Sequence, residues 1–283
     1  MRNNVITFMA CDSEYEKSNI IIFGAPFDGT TSFRPGARFA PPVMRQESYG
    51  IETYSPYLNM DLEDYRFGDI GDLDLPFGNT NRCLDMIYEQ TKEILKDGKK
   101  PFIFGGEHLV SYSPIKAVYE KYSDLRVIHL DAHADLREDY MEEEFSHATV
   151  LRRVWDFLGD NRIYQFGIRS GTKEEFEFAE EHTYINMFNL SQIDRYIEEL
   201  KKFPVYITVD LDVFDPSVFP GTGTPEPGGI DMKEFIEFLK KIKGLNIVGA
   251  DAVELSPHYD HSGISSALAV KVVREILLVI SSK

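Results

Sequence analysis

Residues 126–135 read RVIHLDAHAD: the apolar run Arg126–Leu130 passes without a break into Asp131, His133 and Asp135. A short continuous apolar run bounded by polar residues marks a strand buried on both faces, as in a parallel sheet. Spacing by two puts Asp131, His133 and Asp135 on one face of an extended segment, with Ala132 and Ala134 on the other. Three candidate ligands thus gather beyond the carboxyl end of one strand.

The same rhythm recurs on either side. Further strands are expected at Asn19–Gly24, Pro101–Phe104, Arg162–Gly167, Pro204–Leu211 and Asn246–Val253. Helix-period apolar positions with charged faces predict helices at Asn79–Lys96, Val110–Tyr122, Thr149–Leu158, Lys173–Glu181, Ser191–Lys201, Asp231–Ile242 and Ser265–Ile280. Alternating strands and helices predict an α/β fold, a mostly parallel β-sheet with helices on both faces. No Ser/Gly-rich linker, repeat or low-complexity tract interrupts it, so residues 1–283 are expected to form one domain. Sheets of this kind bind ligands in the crevice beyond the carboxyl ends of their strands. There the sequence also keeps Gly105-Gly106-Glu107-His108, Asp210-Leu211-Asp212 and Glu254.

Composition narrows the function. With 43% hydrophobic residues, 20 Phe and 15 Tyr, the chain can bury a large core, which excludes disorder. Its 47 acidic and 30 basic residues leave a net charge of −17, which repels phosphate backbones and anionic membranes. Neither nucleic acid nor membrane is an expected partner. Two cysteines, Cys11 and Cys83, suit a reducing compartment. The opening MRNNVITFMAC is followed at once by Asp12, Glu14, Glu16 and Lys17, so no secretory signal is expected. No apolar run approaches the roughly 20 residues of a membrane span. The expectation is a soluble, cytoplasmic protein.

A lone aspartate after a strand is most often a helix cap or the partner of a surface lysine. Four aspartates and two histidines at one rim, Asp131, Asp135, Asp210, Asp212, His108 and His133, would repel and raise one another's pKa unless cations neutralised them. Two metal ions account for that excess. Carboxylates and imidazoles without thiolates suit manganese better than structural zinc. Two such ions about 3.5–4 Å apart ready a hydroxide nucleophile near neutral pH.

At these residues the sequence resembles the ureohydrolase family, the binuclear manganese enzymes that include arginase and agmatinase. The resemblance runs through GAPFDGTTSFRPGARFAPP, FGGEH, HLDAHADLRE, SHAT, FGIRSG, VDLDVFDPSVFPGTGTPEPGG and DAVELSP. It implies that His108, Asp131, Asp135 and Asp210 hold one Mn2+ and Asp131, His133, Asp210 and Asp212 the other, so that Asp131 and Asp210 bridge. It further implies that Glu254 pairs with the substrate guanidinium and that His147 shuttles a proton to the leaving amine. Asp135 counts among the catalytic groups as well as the ligands. A homo-oligomer, a trimer or hexamer, is also implied.

The substrate implied is a small guanidino compound. The loop LREDYMEEEFSH has no Asn or Ser before Ser146 and offers Glu138, Asp139, Glu142, Glu143 and Glu144. These favour the amine tail of agmatine over the carboxylate of arginine, and the products would be putrescine and urea. Guanidinobutyrate or arginine is the alternative. The TGTPEPGG stretch is no dinucleotide fingerprint, because Pro225 and Pro227 forbid the helix it requires. Zinc deacetylases resemble the fold but need one metal, whereas His108, Asp135 and Asp212 supply a second site. A homologue that keeps the fold without turnover would have lost ligands, and none is lost. Arg34, Arg38 and Arg169 either line the crevice or bridge subunits.

Overall fold

Eight strands lie side by side in one parallel sheet. The structure is a computed structural model and describes residues 6–282. Of the opening segment read for a secretory signal, residues 1–5 lie outside the described residues, as does Lys283.

In chain order the strands are β1 (Ile20–Gly24), β2 (Tyr54–Ser55), β3 (Met60–Asp61), β4 (Phe67–Asp72), β5 (Lys100–Phe104), β6 (Arg126–Leu130), β7 (Ile163–Ile168), β8 (Tyr184–Met187), β9 (Pro204–Asp210) and β10 (Asn246–Val253). The helices are α1 (Ala40–Ser48), α2 (Thr80–Lys96), α3 (Tyr112–Lys121), α4 (Val150–Leu158), α5 (Lys173–His182), α6 (Ile197–Leu200), α7 (Met232–Ile242) and α8 (Ile264–Ser281). The large sheet runs β4-β1-β5-β10-β9-β6-β7-β8, while β2 and β3 form a small antiparallel pair.

The core forms on both faces, as alternation along buried strands requires. One face carries Phe102, Phe104, Ile128, Leu130, Ile207 and Val209 against α1, α7 and α8, through Met44, Phe235 and Val273 among others. The opposite face carries Val127, Ile163 and Ile103 against α2, α3 and α4, through Leu84, Val118 and Leu151. Among the described residues no helix is long and apolar enough to cross a membrane.

The six expected strands form, with β9 ending at Asp210 rather than Leu211. Asn79, Thr172 and Asp231 cap α2, α5 and α7 by accepting backbone N–H groups of the first turn. The segment Ser191–Lys201 is not one helix: it splits into a 3-10 turn, Ser191–Arg195, and the single turn α6. Besides the short pair β2 and β3, two strands of the large sheet had no sequence signal. Both β4 and β8 lie at the edges, where solvent covers part of each strand and no continuous apolar run is needed.

Candidate metal centre

The middle four strands, β5, β10, β9 and β6, are neighbours although β9 and β10 come last in the chain. Their carboxyl ends deliver His108, Glu254, Asp210 with Asp212, and Asp131 with His133 and Asp135 to one spot. Close approach depends on Gly106, where an added Cβ would stand 1.8 Å from the carbonyl oxygen of Phe27. Two of the delivered residues, Asp135 and Glu254, adopt left-handed backbone angles, φ 55° and 67°. Such angles are costly for side chains other than glycine and persist where the surroundings enforce them.

All six expected ligands meet. The Nδ1 of His108 lies 2.9 Å from Asp131, 3.1 Å from Asp135 and 3.4 Å from Asp210. The Nδ1 of His133 lies 3.0 Å from Asp212 and 3.5 Å from Asp131. Asp131 is thus shared by two groupings, one around His108 and one around His133. Five of the six are buried and His133 is half-buried.

Whether these residues fit a metal is decided one layer below, where Asp251 on β10, Thr208 on β9, His129 on β6 and Gln165 on β7 stand in direct register. Asp251 accepts hydrogen bonds from Tyr206 at 2.8 Å and from Thr208 at 2.7 Å. The Thr208 hydroxyl, having donated to Asp251, accepts from Nε2 of His108 at 2.9 Å. In the neutral ring the His108 proton therefore sits on Nε2 and the Nδ1 lone pair faces three carboxylates, where it has no hydrogen-bond partner. A buried lone pair among carboxylates calls for a cation, so the cluster fits divalent metal.

The electrostatics agree. Burial, then the neighbouring Asp131 charge, pushes Asp135 up to about 7. Burial, then Asp212 and Asp131, also raises Asp210. Burial, then Glu107 and Asp212, raises Glu254. Burial opposes ionisation of Asp131 as well, but His129, His108 and His133 together hold it well below the ordinary range. Burial opposes a charge on His108 and His133, yet the surrounding aspartates lift both well above the usual value. Protons gather where positive charge is wanted.

A cavity of about 270 Å³ opens onto the cluster, lined by His108, His133, Asp135, Asp210 and Glu254 together with Ser32, Arg137, Tyr140, His147, Glu175 and Thr224. Glu254 accepts the backbone N–H of His108 at 2.9 Å through Oε1. The Nε2 of His147 lies 3.3 Å from the Ser32 hydroxyl, and its backbone N–H donates to Thr30 Oγ1 at 3.1 Å. Thr30 and Thr31 in turn donate from their hydroxyls to the buried Glu107, each at 2.6 Å, so the residue before His108 holds the loop that meets His147. Burial pushes the His147 imidazole down to about 4, leaving it neutral at physiological pH.

The acidic loop departs from expectation. Glu138, Asp139, Glu142, Glu143 and Glu144 are exposed and none lines this cavity. Glu142, Glu143 and Glu144 border a separate groove beside Gly29–Ser32, and Glu144 pairs with Arg153 at 2.5 Å. That loop instead sends Arg137 and Tyr140 inward, with Arg137 3.3 Å from Glu175 and stacked over the Tyr140 ring. None of the three open arginines lines this cavity. Arg169 donates to the carbonyls of Asp212, Val213 and Glu226, Arg38 pairs with Asp28, and Arg34 packs over Phe33 and Tyr259. His129, Gln165, Thr208, Asp251, Arg137 and Glu175 were not read from the sequence. Only His129 had a local signal, since it stands two residues before Asp131 and so shares its face.

Residues 18–279 match the arginase family. The chain is 49% identical to an agmatinase of Bacillus subtilis, across 96% of this chain and 95% of that protein. Its structure matches that of an agmatine ureohydrolase of Thermoplasma volcanium with a TM-score of 0.88 at 34% identity, covering 99% of this chain and 95% of the other. It matches that of proclavaminate amidinohydrolase from Streptomyces clavuligerus with the same TM-score of 0.88 at 31% identity, covering 98% and 97%.

Proposed function

The chain belongs to the arginase family, and from that membership and the cluster we propose that it hydrolyses the guanidino group of agmatine, giving putrescine and urea, with two manganese ions. The observation that carries this reading is the convergence of six ligand-type side chains, Asp210 joining through His108, in a chain 49% identical to an agmatinase along 96% of its length. His108, Asp131, Asp135 and Asp210 would hold one ion and Asp131, His133, Asp210 and Asp212 the other. Four carboxylates and two imidazoles without thiolate favour manganese. Bound there, the ions would lower the pKa of water and supply a nucleophile near neutral pH.

The chain's own side chains then have defined tasks. Glu254 offers its carboxylate to the substrate guanidinium; one oxygen already accepts from His108, so the second carries most of that contact. His147, neutral and held by Thr30 and Ser32, takes up a proton and returns it to the departing amine nitrogen as the C–N bond breaks. Asp135 stands 3.1 Å from His108 Nδ1, across the ring from Thr208, so that the carboxylate and Nδ1 would face the same ion.

One observation favours the alternative. Arg137 puts a guanidinium on the cavity wall, which attracts a substrate carboxylate such as that of guanidinobutyrate or arginine. Against it stands the Glu175 carboxylate beside Arg137, which offsets that charge. Urea release from agmatine, arginine and guanidinobutyrate by the manganese-loaded protein decides. The highest kcat/KM is expected for agmatine, and a higher value for either carboxylate-bearing substrate would reverse the assignment. A cytoplasmic setting, supported by two unpaired buried cysteines, and a homo-oligomer, trimer or hexamer, complete the proposal.

A further inference from the structure

His129 is fully buried on β6, two residues before Asp131, and its Nε2 lies 2.8 Å from Asp131 Oδ2. By position alone it could be a seventh ligand, since its ring nitrogen stands within 4.8 Å of ligand atoms from His108, Asp131 and Asp135. The proton on its ring decides between ligand and donor, and the neighbouring strand fixes that proton. Gln165 Nε2 lies 2.9 Å from the carbonyl oxygen of Ala134, which can only accept, so this atom of the Gln165 amide is the NH2 group. Thr183 donates to the other end, Oε1, at 3.0 Å, as the same orientation requires. The second hydrogen of that NH2 points at His129 Nδ1, 3.1 Å away. Nδ1 is therefore the acceptor nitrogen, Nε2 carries the hydrogen, and a protonated nitrogen cannot bind a metal.

We propose that His129 is a positioning residue that donates from Nε2 to the bridging carboxylate of Asp131, with Gln165 locking the tautomer, and that it is not a metal ligand. The consequence lies in the lone pairs of Asp131. Oδ2 gives one to His129, and Oδ1 gives one to the backbone N–H of His133. Each oxygen keeps one lone pair for a cation, which disposes the carboxylate to span two ions rather than chelate one. His108 and His129 thus hold the same Nε2–H tautomer but present opposite ring edges to the cluster, Nδ1 from His108 and Nε2–H from His129, set by Thr208 and Gln165.

The inference rests on the binuclear reading above, and the test separates the two. Manganese affinity is measured by chelator competition, with the spin coupling between paired ions followed by electron paramagnetic resonance. His129→Phe, which keeps the ring and loses the donor, is expected to weaken manganese binding roughly 10- to 100-fold, the usual cost of removing such a partner. His129→Gln, whose amide can donate from nearly the same place, should restore most of the affinity. Gln165→Glu gives the decisive sign. A carboxylate there pulls the proton to Nδ1 and bares Nε2, so binding should weaken, whereas a ligand histidine would bind more tightly. Melting of the metal-free variants checks that they fold. If the unmodified protein takes up fewer than two ions, the binuclear reading fails. If it takes up two while His129→Phe binds equally well, or Gln165→Glu leaves affinity unchanged or raised, the role of His129 is overturned.

Discussion

His108 and Thr208 meet at 2.9 Å, Nε2 to Oγ1, and this contact turns the imidazole so that Nδ1 faces the aspartates. Thr208→Val keeps the shape but removes the acceptor. It is expected to reduce manganese affinity roughly tenfold, by the usual scale for such partners. Thr208→Ser should bind nearly as the unmodified protein does. Equilibrium dialysis against manganese reads both.

Metal content tests the sharing of ligands. About two ions per chain are expected in the manganese-incubated protein, on the two-metal reading. Asp131→Ala and Asp210→Ala should deplete both ions, while Asp212→Ala should deplete mainly one. Full activity at a stoichiometry of one would end the binuclear assignment.

Proton handling is tested at His147. His147→Asn should lower kcat by about 100-fold, in the range of lost acid–base catalysis, with metal content unchanged. Loss of metal in that variant would assign His147 a different role. Thr30→Val, which removes the hydroxyl joining His147 to Glu107, should lower kcat in the unmodified protein and add little in the His147→Asn background.

Arg137 lines the cavity beside the cluster and the acidic side chains of its loop do not. Replacing Glu142, Glu143 and Glu144 together by Gln should change the ratio of kcat/KM for agmatine and arginine by less than about twofold, since exposed charges are screened by solvent and salt. Arg137→Gln should shift that ratio toward agmatine by roughly tenfold, the worth of about 1.4 kcal/mol. Steady-state urea assays with each substrate give both numbers.

Without metal, stability should fall as pH rises from 6.5 to 8.5. His108 and His133 are held above their ordinary value of 6.5 in the folded chain, so their contribution is complete below that pH and is lost above it. Asp135, raised to about 7, adds to the decline, because the folded chain keeps a proton that the unfolded chain gives up from about pH 4 onward. His129 and His147 are lowered and work in the opposite direction, but only below 6.5. Manganese should raise the melting temperature more at pH 8 than at pH 6.5, since binding displaces these protons. Thermal melts with and without manganese measure the difference, and a pH-independent gain would contradict it.

The buried strands and the convergence of all six candidate ligand residues were legible in the chain itself, because both signals are local. Continuous apolar runs show burial on two faces, and spacing by two places Asp131, His133 and Asp135 together wherever the segment is extended. The family resemblance added roles to those positions, and the match over residues 18–279 bears out the family. Tertiary structure alone decided which strands are neighbours. Inserting β9 and β10 between β5 and β6 brings Asp251, Thr208, His129 and Gln165 into one polar row, from four strands far apart in sequence. It also decided the loop after Asp135. Charge composition there pointed to Glu138, Asp139, Glu142, Glu143 and Glu144 as the substrate's neighbours, but backbone direction turns them to solvent and Arg137 inward. Register and side-chain direction arise from packing between distant segments, and no local pattern of residues carries them.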